Sequence, residues 1–324
     1  IEARGDREPR ELVTKLSSRG VVVVPQYLRW LYKTETYTPH ATNRNKLGIV
    51  GYLNEFASPT DLSSFMAVLR PEAINADFTV ESVNGGEYDA DFPSVEPNIN
   101  MQVAQGIAFP TPHVFYTVGG RGAWDRDTGE PIVGHDADSE WLKYLLLKDE
   151  IPQTISISYG LNETNVPQEY AKALCSLYEQ LGVRGVSVLA ASGNQGVGYG
   201  GCLAKDGSGR VQFLPTFPST CMSDVLSVLP NGTEMQPQLA DYHISCGFAG
   251  PFVTSVGGTT SQIPEVAATF SGGGFSNYFS RPDYQDAAVP PFLQKLGDTH
   301  QGLYKCVNRG GSESDLTCSY IVML

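Results

Sequence analysis

The run Val186-Ser-Val-Leu-Ala-Ala-Ser-Gly-Asn194-Gln-Gly196 constrains the fold of this chain more than any other stretch. Its first residues are small or β-branched and apolar, the composition of a fully buried strand. It ends in Ser192-Gly193-Asn194 and Gly196, a turn in which backbone can come close to a ligand. Upstream, Pro167 to Gly182 sets Ala171, Leu174, Cys175, Tyr178 and Leu181 at helical spacing, with Gly182 as a stop. Before that helix, Thr154-Ile-Ser-Ile-Ser-Tyr-Gly160 reads as another strand. Strand, helix, strand is a crossover that joins parallel neighbours. Ligands of open α/β sheets bind beyond the carboxyl ends of such strands, here Ser158-Tyr159-Gly160 and Ser192-Gly193-Asn194. In that place Asn194 either aims its amide at a developing oxyanion or simply forms the turn.

The same alternation runs through the rest of the chain. Leu47 to Leu53 reads as a strand, and Thr60-Asp61 caps a helix running through Phe65 to Leu69. Phe78 to Val83 alternates like a strand and ends at Asn84-Gly-Gly86. The spacing predicts a helix from Glu96 to Ile107, with Ile99, Val103 and Ile107 on its apolar face and Pro97 in its first turn. A strand at His113 to Val118 and an amphipathic helix at Ser139 to Leu147 follow. The pattern predicts an α/β fold, a mainly parallel sheet flanked by helices on both faces. Beyond Asn194, Phe252 to Thr260 reads as strand then tight turn, and Ser271-Gly-Gly-Gly-Phe-Ser-Asn-Tyr-Phe279 as a glycine-rich loop. No Gly-Lys-Ser/Thr follows those glycines, so they are not a phosphate loop.

The chain has 324 residues, enough for one large α/β domain or two small ones. A formal net charge of −13 leaves no basic footprint, which argues against nucleic acid and anionic membrane as partners. No apolar run approaches the length of a membrane span. The six cysteines (Cys175, Cys202, Cys221, Cys246, Cys306, Cys318) form no C-x-x-C pair, so no metal site is expected and disulfide connectivity stays open. Asn162-Glu-Thr and Asn231-Gly-Thr fit the glycosylation pattern, which leans towards a secreted glycoprotein. Residues 1–20 are dense in charge and begin at Ile1 rather than Met, as a linker or propeptide remnant would. His40, His113, His135, His243 and His300 sit in no His-Gly-Thr-His setting and no G-x-S-x-G elbow occurs, which disfavours a histidine-based hydrolase.

Seven pieces in order resemble the sedolisins, or serine-carboxyl peptidases, and among them the fungal tripeptidyl-peptidase type. They are Val24-Pro-Gln-Tyr-Leu-Arg-Trp-Leu-Tyr32, Leu47-Gly-Ile-Val-Gly-Tyr52, Ile155-Ser-Ile-Ser-Tyr-Gly160, Leu189-Ala-Ala-Ser-Gly-Asn-Gln-Gly196, Phe213-Leu-Pro-Thr-Phe-Pro-Ser-Thr-Cys221, Gly250-Pro-Phe-Val-Thr-Ser-Val-Gly-Gly-Thr259 and Ser271 through Gln285. The resemblance implies a subtilisin-like α/β fold, secretion behind an amino-terminal propeptide, a monomer, and hydrolysis of peptide or protein substrates in acid. It covers residues 21–305 as one peptidase domain, interrupted by 222–249, with 306–324 as a tail of no resemblance. Both unmatched stretches begin abruptly beside matching text, as translated introns or gene-model errors would; the alternative is a genuine surface insertion, which loops tolerate at modest entropic cost.

The resemblance also implies roles. The family carries Glu-x-x-x-Asp on a helix, the Glu acting as general base to a serine; the matching positions are Glu96 and Asn100. A spacing of four puts both side chains on one helix face. A carboxylate serves as base in acid, where His would be permanently protonated. Asn100 replaces the second carboxylate with an amide that donates a hydrogen bond but relays no proton. The family's oxyanion Asp falls at Asn194, whose amide donates at any pH. Ser158, Tyr159, Gly160, Ser192 and Gly193 are the implied peptide-binding positions. The family's nucleophilic serine lies in a Ser-Gly-Thr-Ser motif, and none occurs between Gln285 and Leu324. The fold is thus expected to stop short of the nucleophile segment, and the family's calcium site to fall in that same missing segment. Such a chain is expected to be an inactive form of an acid peptidase or a peptide-binding pseudoenzyme of the same fold.

Overall fold

Buried apolar strands alternating with amphipathic helices give the α/β architecture that the pattern predicts. The structure, a computed structural model, describes residues 23–40, 44–121, 136–198, 202–204, 207–209, 212–221, 252–260 and 265–297. The stretches 1–20, 222–249 and 306–324, with Cys246, Cys306, Cys318 and Asn231, lie outside the described residues. The chain divides into two compact units, Ile1–Gly120 with Glu150–Gln153, and Arg121–Asp149 with Thr154–Leu324.

In the first unit the chain forms α1 (Pro25–Leu31), β1 (Leu47–Gly51), α2 (Pro59–Leu69), β2 (Phe78–Val83), α3 (Val95–Ala108) and β3 (His113–Val118). β3 is the middle strand, parallel to β1 on one side and to β2 on the other, with His113 opposite both Leu47 and Phe78. All six β3 residues are buried, as befits a strand covered on both faces. Ile49, Leu62, Met66, Phe78, Met101 and Phe115 form the core. Helix α2 starts ahead of the expected Thr60-Asp61 cap: Ser58 is the N-cap, and its Oγ accepts from the Asp61 N–H at 3.3 Å.

Helix α3 buries a different face from the one its isoleucines suggest. Pro97, Met101, Gln105 and Gly106 are buried, whereas Ile99 is 51% exposed and Ile107 37%. Two contacts decide the rotation. The Gln105 amide donates to the Asp77 carbonyl at 2.6 Å, and a Cβ at Gly106 would stand 2.6 Å from the Pro25 ring. A satisfied amide head makes the Gln105 stem an acceptable core residue.

The second unit holds α4 (Ala137–Leu147), β4 (Thr154–Ile157), β5 (Leu161–Asn162), α5 (Gln168–Val183), β6 (Ser187–Ala191), β7 (Thr216–Phe217), β8 (Val253–Val256), β9 (Thr259–Thr260), β10 (Val266–Ala267) and α6 (Val289–Leu296). β4, β6 and β8 are parallel, Thr154 opposite Ser187 and Val188 opposite Val253. Helix α5 is the expected crossover, burying Ala171, Leu174, Tyr178 and Leu181. Gly182 does not stop it. The helix runs on to Val183, and the chain turns at Gly185, whose φ is +83°. Gly182 is instead a contact point, since a Cβ there would lie 2.4 Å from the Phe252 ring. Helix α4 is N-capped by Asp136, whose other carboxylate oxygen accepts from the Tyr170 hydroxyl at 2.5 Å. Burial and that carboxylate push the Tyr170 phenol far above its ordinary range.

Asn162 corrects one expectation. It is 2% exposed, and its Oδ1 accepts from the Thr164 N–H and hydroxyl, both at 3.0 Å. A side chain so enclosed leaves no room for a glycan, so this sequon is a structural turn.

Two outcomes follow. Met101→Ala should lower the unfolding free energy by about 2–5 kcal/mol, whereas Ile99→Ala should cost less than about 1 kcal/mol, both read by urea denaturation. His113 is 2% exposed, its Nδ1 is 2.8 Å from the Thr111 carbonyl, and burial pushes its pKa down to about 4. Its stability contribution is therefore present above the unfolded value of about 6.5 and lost as pH falls towards the folded one. His113→Gln should retain about 3 kcal/mol more of its pH 7 stability at pH 4 than the parent chain does.

Candidate active site

An acidic residue in the first turn of a helix is favoured by the exposed N–H groups there, and Glu96 occupies that place in α3. Asn100 follows one turn later on the same face, and both side chains are half-buried. Neither has a hydrogen-bond partner among the described residues.

The helix that carries them is pinned at both ends. At its start the Ser94 N–H donates to the Phe56 carbonyl at 2.9 Å. Asn98 accepts from the Ser58 N–H at 2.8 Å and donates to Asp61 Oδ2 at 2.7 Å, tying α3 to the cap of α2. At its end the buried Arg70 guanidinium donates to the Gly106 and Ile107 carbonyls and to Glu72 Oε1. Those carbonyls belong to the last turn, where a helix leaves its acceptors unused. Asn98 and Arg70 carry no periodic signal and belong to no motif that would single them out.

The second unit gathers the other expected positions. Ser158, Tyr159 and Gly160 follow β4, and Ser192, Gly193 and Asn194 follow β6, at neighbouring carboxyl ends of paired parallel strands. Asn194 is exposed in a turn whose flanking Gly193 and Gly196 have φ of +97° and +66°. Those backbone values favour glycine. Ser192 is buried, its N–H donates to the Val256 carbonyl at 2.9 Å, and its hydroxyl has no partner among the described residues.

Two segments hold these turns. The first is 213–221, buried throughout, whose β7 pairs antiparallel with β5. Its Ser219 hydroxyl donates to the Ala191 carbonyl at 2.7 Å, at the end of β6. Its Cys221 is bridged to Cys175 of α5, with 5.3 Å between Cα atoms. Cys202 is a free thiol, the only one among the described residues. The second segment is the glycine-rich loop, which is not a mobile surface turn. The Gly272 N–H donates to the Gly193 carbonyl at 2.7 Å, and the Gly196 N–H to the Phe270 carbonyl at 2.7 Å.

Beneath that loop lies a carboxylate that neither periodicity nor motif spacing marked. Glu163 is 0% exposed. Its Oε1 accepts from the Ser276 hydroxyl at 2.5 Å, and its Oε2 from the Asn277 N–H at 2.6 Å and the Asn277 side-chain amide at 3.2 Å. Burial pushes its pKa up, against the hydrogen bonds from Ser276 and Asn277, which pull it down. In the sequence it sits inside the Asn162-Glu-Thr sequon, where nothing distinguishes it from an exposed turn residue.

Among the described residues no three His, Cys, Asp or Glu side chains are grouped to hold a metal ion. Nor is any described helix long and apolar enough to cross a membrane.

Known proteins carry a similar sequence over most of this length. No known protein-family profile matches the chain. It is 36% identical over 298 residues to the probable tripeptidyl-peptidase SED3 of Arthroderma benhamiae, covering 90% of this chain and 45% of that protein. It is 34% identical over 293 residues to the tripeptidyl-peptidase sed4 of Aspergillus fumigatus, covering 88% of this chain and 44% of that protein. The chain thus spans a little under half the length of the curated relatives that it matches. Among solved structures, a Pseudomonas sedolisin, a serine-carboxyl proteinase complexed with pseudo-iodotyrostatin, superposes with a TM-score of 0.50 at 18% identity. That match covers 82% of this chain and 66% of the other, and it shows the subtilisin-like fold.

The disulfide closes a loop with a sequence separation of 46. Cys221→Ser should therefore lower the unfolding free energy of the second unit by about 2–4 kcal/mol in urea, and reductant should remove the difference from the parent. Equal stability in both forms would mean that 213–221 is held without the bridge.

Proposed function

Along nine-tenths of its length the chain belongs to the sedolisin family, and on that footing we propose that it supplies base and oxyanion donor to an acid-acting serine peptidase of the tripeptidyl-peptidase type. The observation that carries the reading is the match to the tripeptidyl-peptidases across 90% of the chain, with Glu96 in the first turn of a pinned helix.

Glu96 takes the proton of the attacking serine, a step that calls for an ionised carboxylate in acid. Asn100, one turn on, stands where the family carries a second carboxylate, and its amide shares no proton with the base. Asn194 donates its amide to the oxyanion of the tetrahedral intermediate, where a fixed donor is worth most. An extended substrate pairs its backbone with the strand ends at Ser158, Tyr159, Gly160, Ser192 and Gly193. The serine itself comes from a Ser-Gly-Thr-Ser segment, which residues 1–324 do not contain. A disulfide at Cys175–Cys221 suits an oxidising compartment and supports secretion.

A second reading is a peptide-binding pseudoenzyme. The paired amides at Asn100 and Asn194 favour it, because both replace carboxylates of the family pattern.

Sequencing the full-length transcript across the codons for 221–250 and beyond 305 comes first. A product that joins these residues to a Ser-Gly-Thr-Ser segment should release reporter from an Ala-Ala-Phe substrate in acid. Glu96→Gln should then lower kcat by about 10²–10⁴, and residues 1–324 expressed alone should be silent. A completed product that binds peptide but never turns it over would leave the pseudoenzyme.

A further inference from the structure

Among the described residues of the second unit, Glu163 is the one fully enclosed carboxylate that the proposed chemistry does not use. Two of its partners, Ser276 and Asn277, lie on the glycine-rich loop, more than a hundred residues away in sequence. The Ser276 hydroxyl is itself fully engaged. Its oxygen accepts from the Tyr278 N–H at 3.1 Å and the Phe279 N–H at 3.0 Å, so its proton is directed to Glu163 Oε1. Both donors of Asn277 converge on Oε2, and the same amide also donates to the Phe213 carbonyl at 3.1 Å. The Glu163 backbone is equally fixed, its N–H donating to the Pro215 carbonyl at 2.8 Å. One side chain thus joins the loop at 276–277 to the 213–221 segment.

The other end of that loop grips the turn that bears Asn194. The Gly272 N–H binds the Gly193 carbonyl, the Gly196 N–H binds the Phe270 carbonyl, and Asn194 lies between those two bonds. Between the anchor and the grip, the Phe275 ring meets Phe213 edge-on at 4.8 Å and Gly274 lies against the same ring. A displacement of 276–277 therefore has no slack in which to dissipate before reaching 270–272.

We propose that Glu163 is a positioning residue, which through the 270–279 loop sets the turn that presents Asn194. It touches neither substrate nor oxyanion. The inference rests on the proposed role of Asn194 for its meaning in catalysis, but the placement of the turn can be measured without turnover.

Glu163→Gln is the direct test. It preserves shape, yet it presents an N–H to a Ser276 oxygen whose lone pairs are already taken. Amide hydrogen exchange on residues 1–324 should show Gly196 and Gly272 exchanging about tenfold faster or more, as a local opening would. The amides of α5 and of Val188 and Ala190 in β6 should be unchanged. Unaltered exchange at Gly196 and Gly272 would overturn the proposal. Uniform acceleration through α5 and β6 would also overturn it, since that is what a merely structural residue gives. Should Glu163→Gln not fold, Ser276→Ala leaves the carboxylate and its Asn277 bonds in place and should accelerate the same two amides alone. No acceleration there would sink the idea equally. In a completed product that cleaves the reporter, Glu163→Gln should lower kcat at unchanged KM, by at most the 10²–10³-fold or so set by losing one oxyanion donor. A loss confined to KM would contradict the role. A full exchange effect in a completed product without turnover would instead keep the positioning role and reject the peptidase reading.

Discussion

At Gly272 an added Cβ would stand 1.8 Å from the Ser192 carbonyl oxygen, and at Gly193 it would stand 2.3 Å from the Thr216 hydroxyl. Gly160 meets the same threonine, at 2.4 Å from its methyl group. The carboxyl ends of β4 and β6 can thus be covered by β7 and the glycine-rich loop only because three residues have no side chain. Glycine costs conformational entropy on folding. Here that cost is offset by the burial of 213–221 and by the Cys175–Cys221 bridge, which narrows the unfolded ensemble. The result is a turn held from two sides, with Asn194 left exposed at its tip. On the proposed reading, a turn held so lowers the reorganisation needed when charge develops against its Asn194 donor.

The parts of this arrangement that the sequence makes legible are those with a period. β1, β2, β3, β4, β6 and the crossover helix α5 lie where alternation and helical spacing put them, because burial of a face imposes that spacing. What went astray is what a period cannot encode. Apolar residues occur on both sides of α3, so counting them does not choose between Ile99 and Met101; a glutamine and a proline choose. Gly182 looks like a helix stop until Phe252, seventy residues on, shows why no larger residue fits. Asn162 and Glu163 look like a glycosylation site because a sequon is three letters, while their burial depends on partners at Pro215, Ser276 and Asn277. Long-range hydrogen bonds leave no local pattern, and the catalytic assignments came from the family resemblance, with chemistry supplying the reason for each residue type.

Two buried titratable groups, His113 and Glu163, respond to acid in opposite directions. His113 in the first unit is held below its ordinary pKa, so acidification through that value charges a buried ring and destabilises the strand around it. Glu163 in the second unit is held above its ordinary range. Its contribution is therefore present below the unfolded value and lost as pH rises through the folded one. The formal charge of −13 adds to the second effect, since protonating surface carboxylates in acid relieves their mutual repulsion. If the chain works in acid, as proposed, it draws on its carboxylates while carrying a histidine whose burial limits how far acidification can go.

The amide at Asn194 bears on the same balance. A carboxylic acid donates to an oxyanion only while protonated, so a peptidase built with an acid there must keep that group neutral and its base ionised at one pH. Those two demands pull in opposite directions. An asparagine removes one of them, since its N–H groups donate whatever the pH. At Asn100 the trade is different, because a carboxylate beside Glu96 shares a proton and tunes its neighbour's charge, whereas an amide has no proton to share. On the proposed reading the oxyanion side of the chemistry is therefore freed from titration. Its pH dependence then falls on Glu96, standing on a helix whose two ends are fixed by Asn98 and Arg70 rather than by any group that shares its proton.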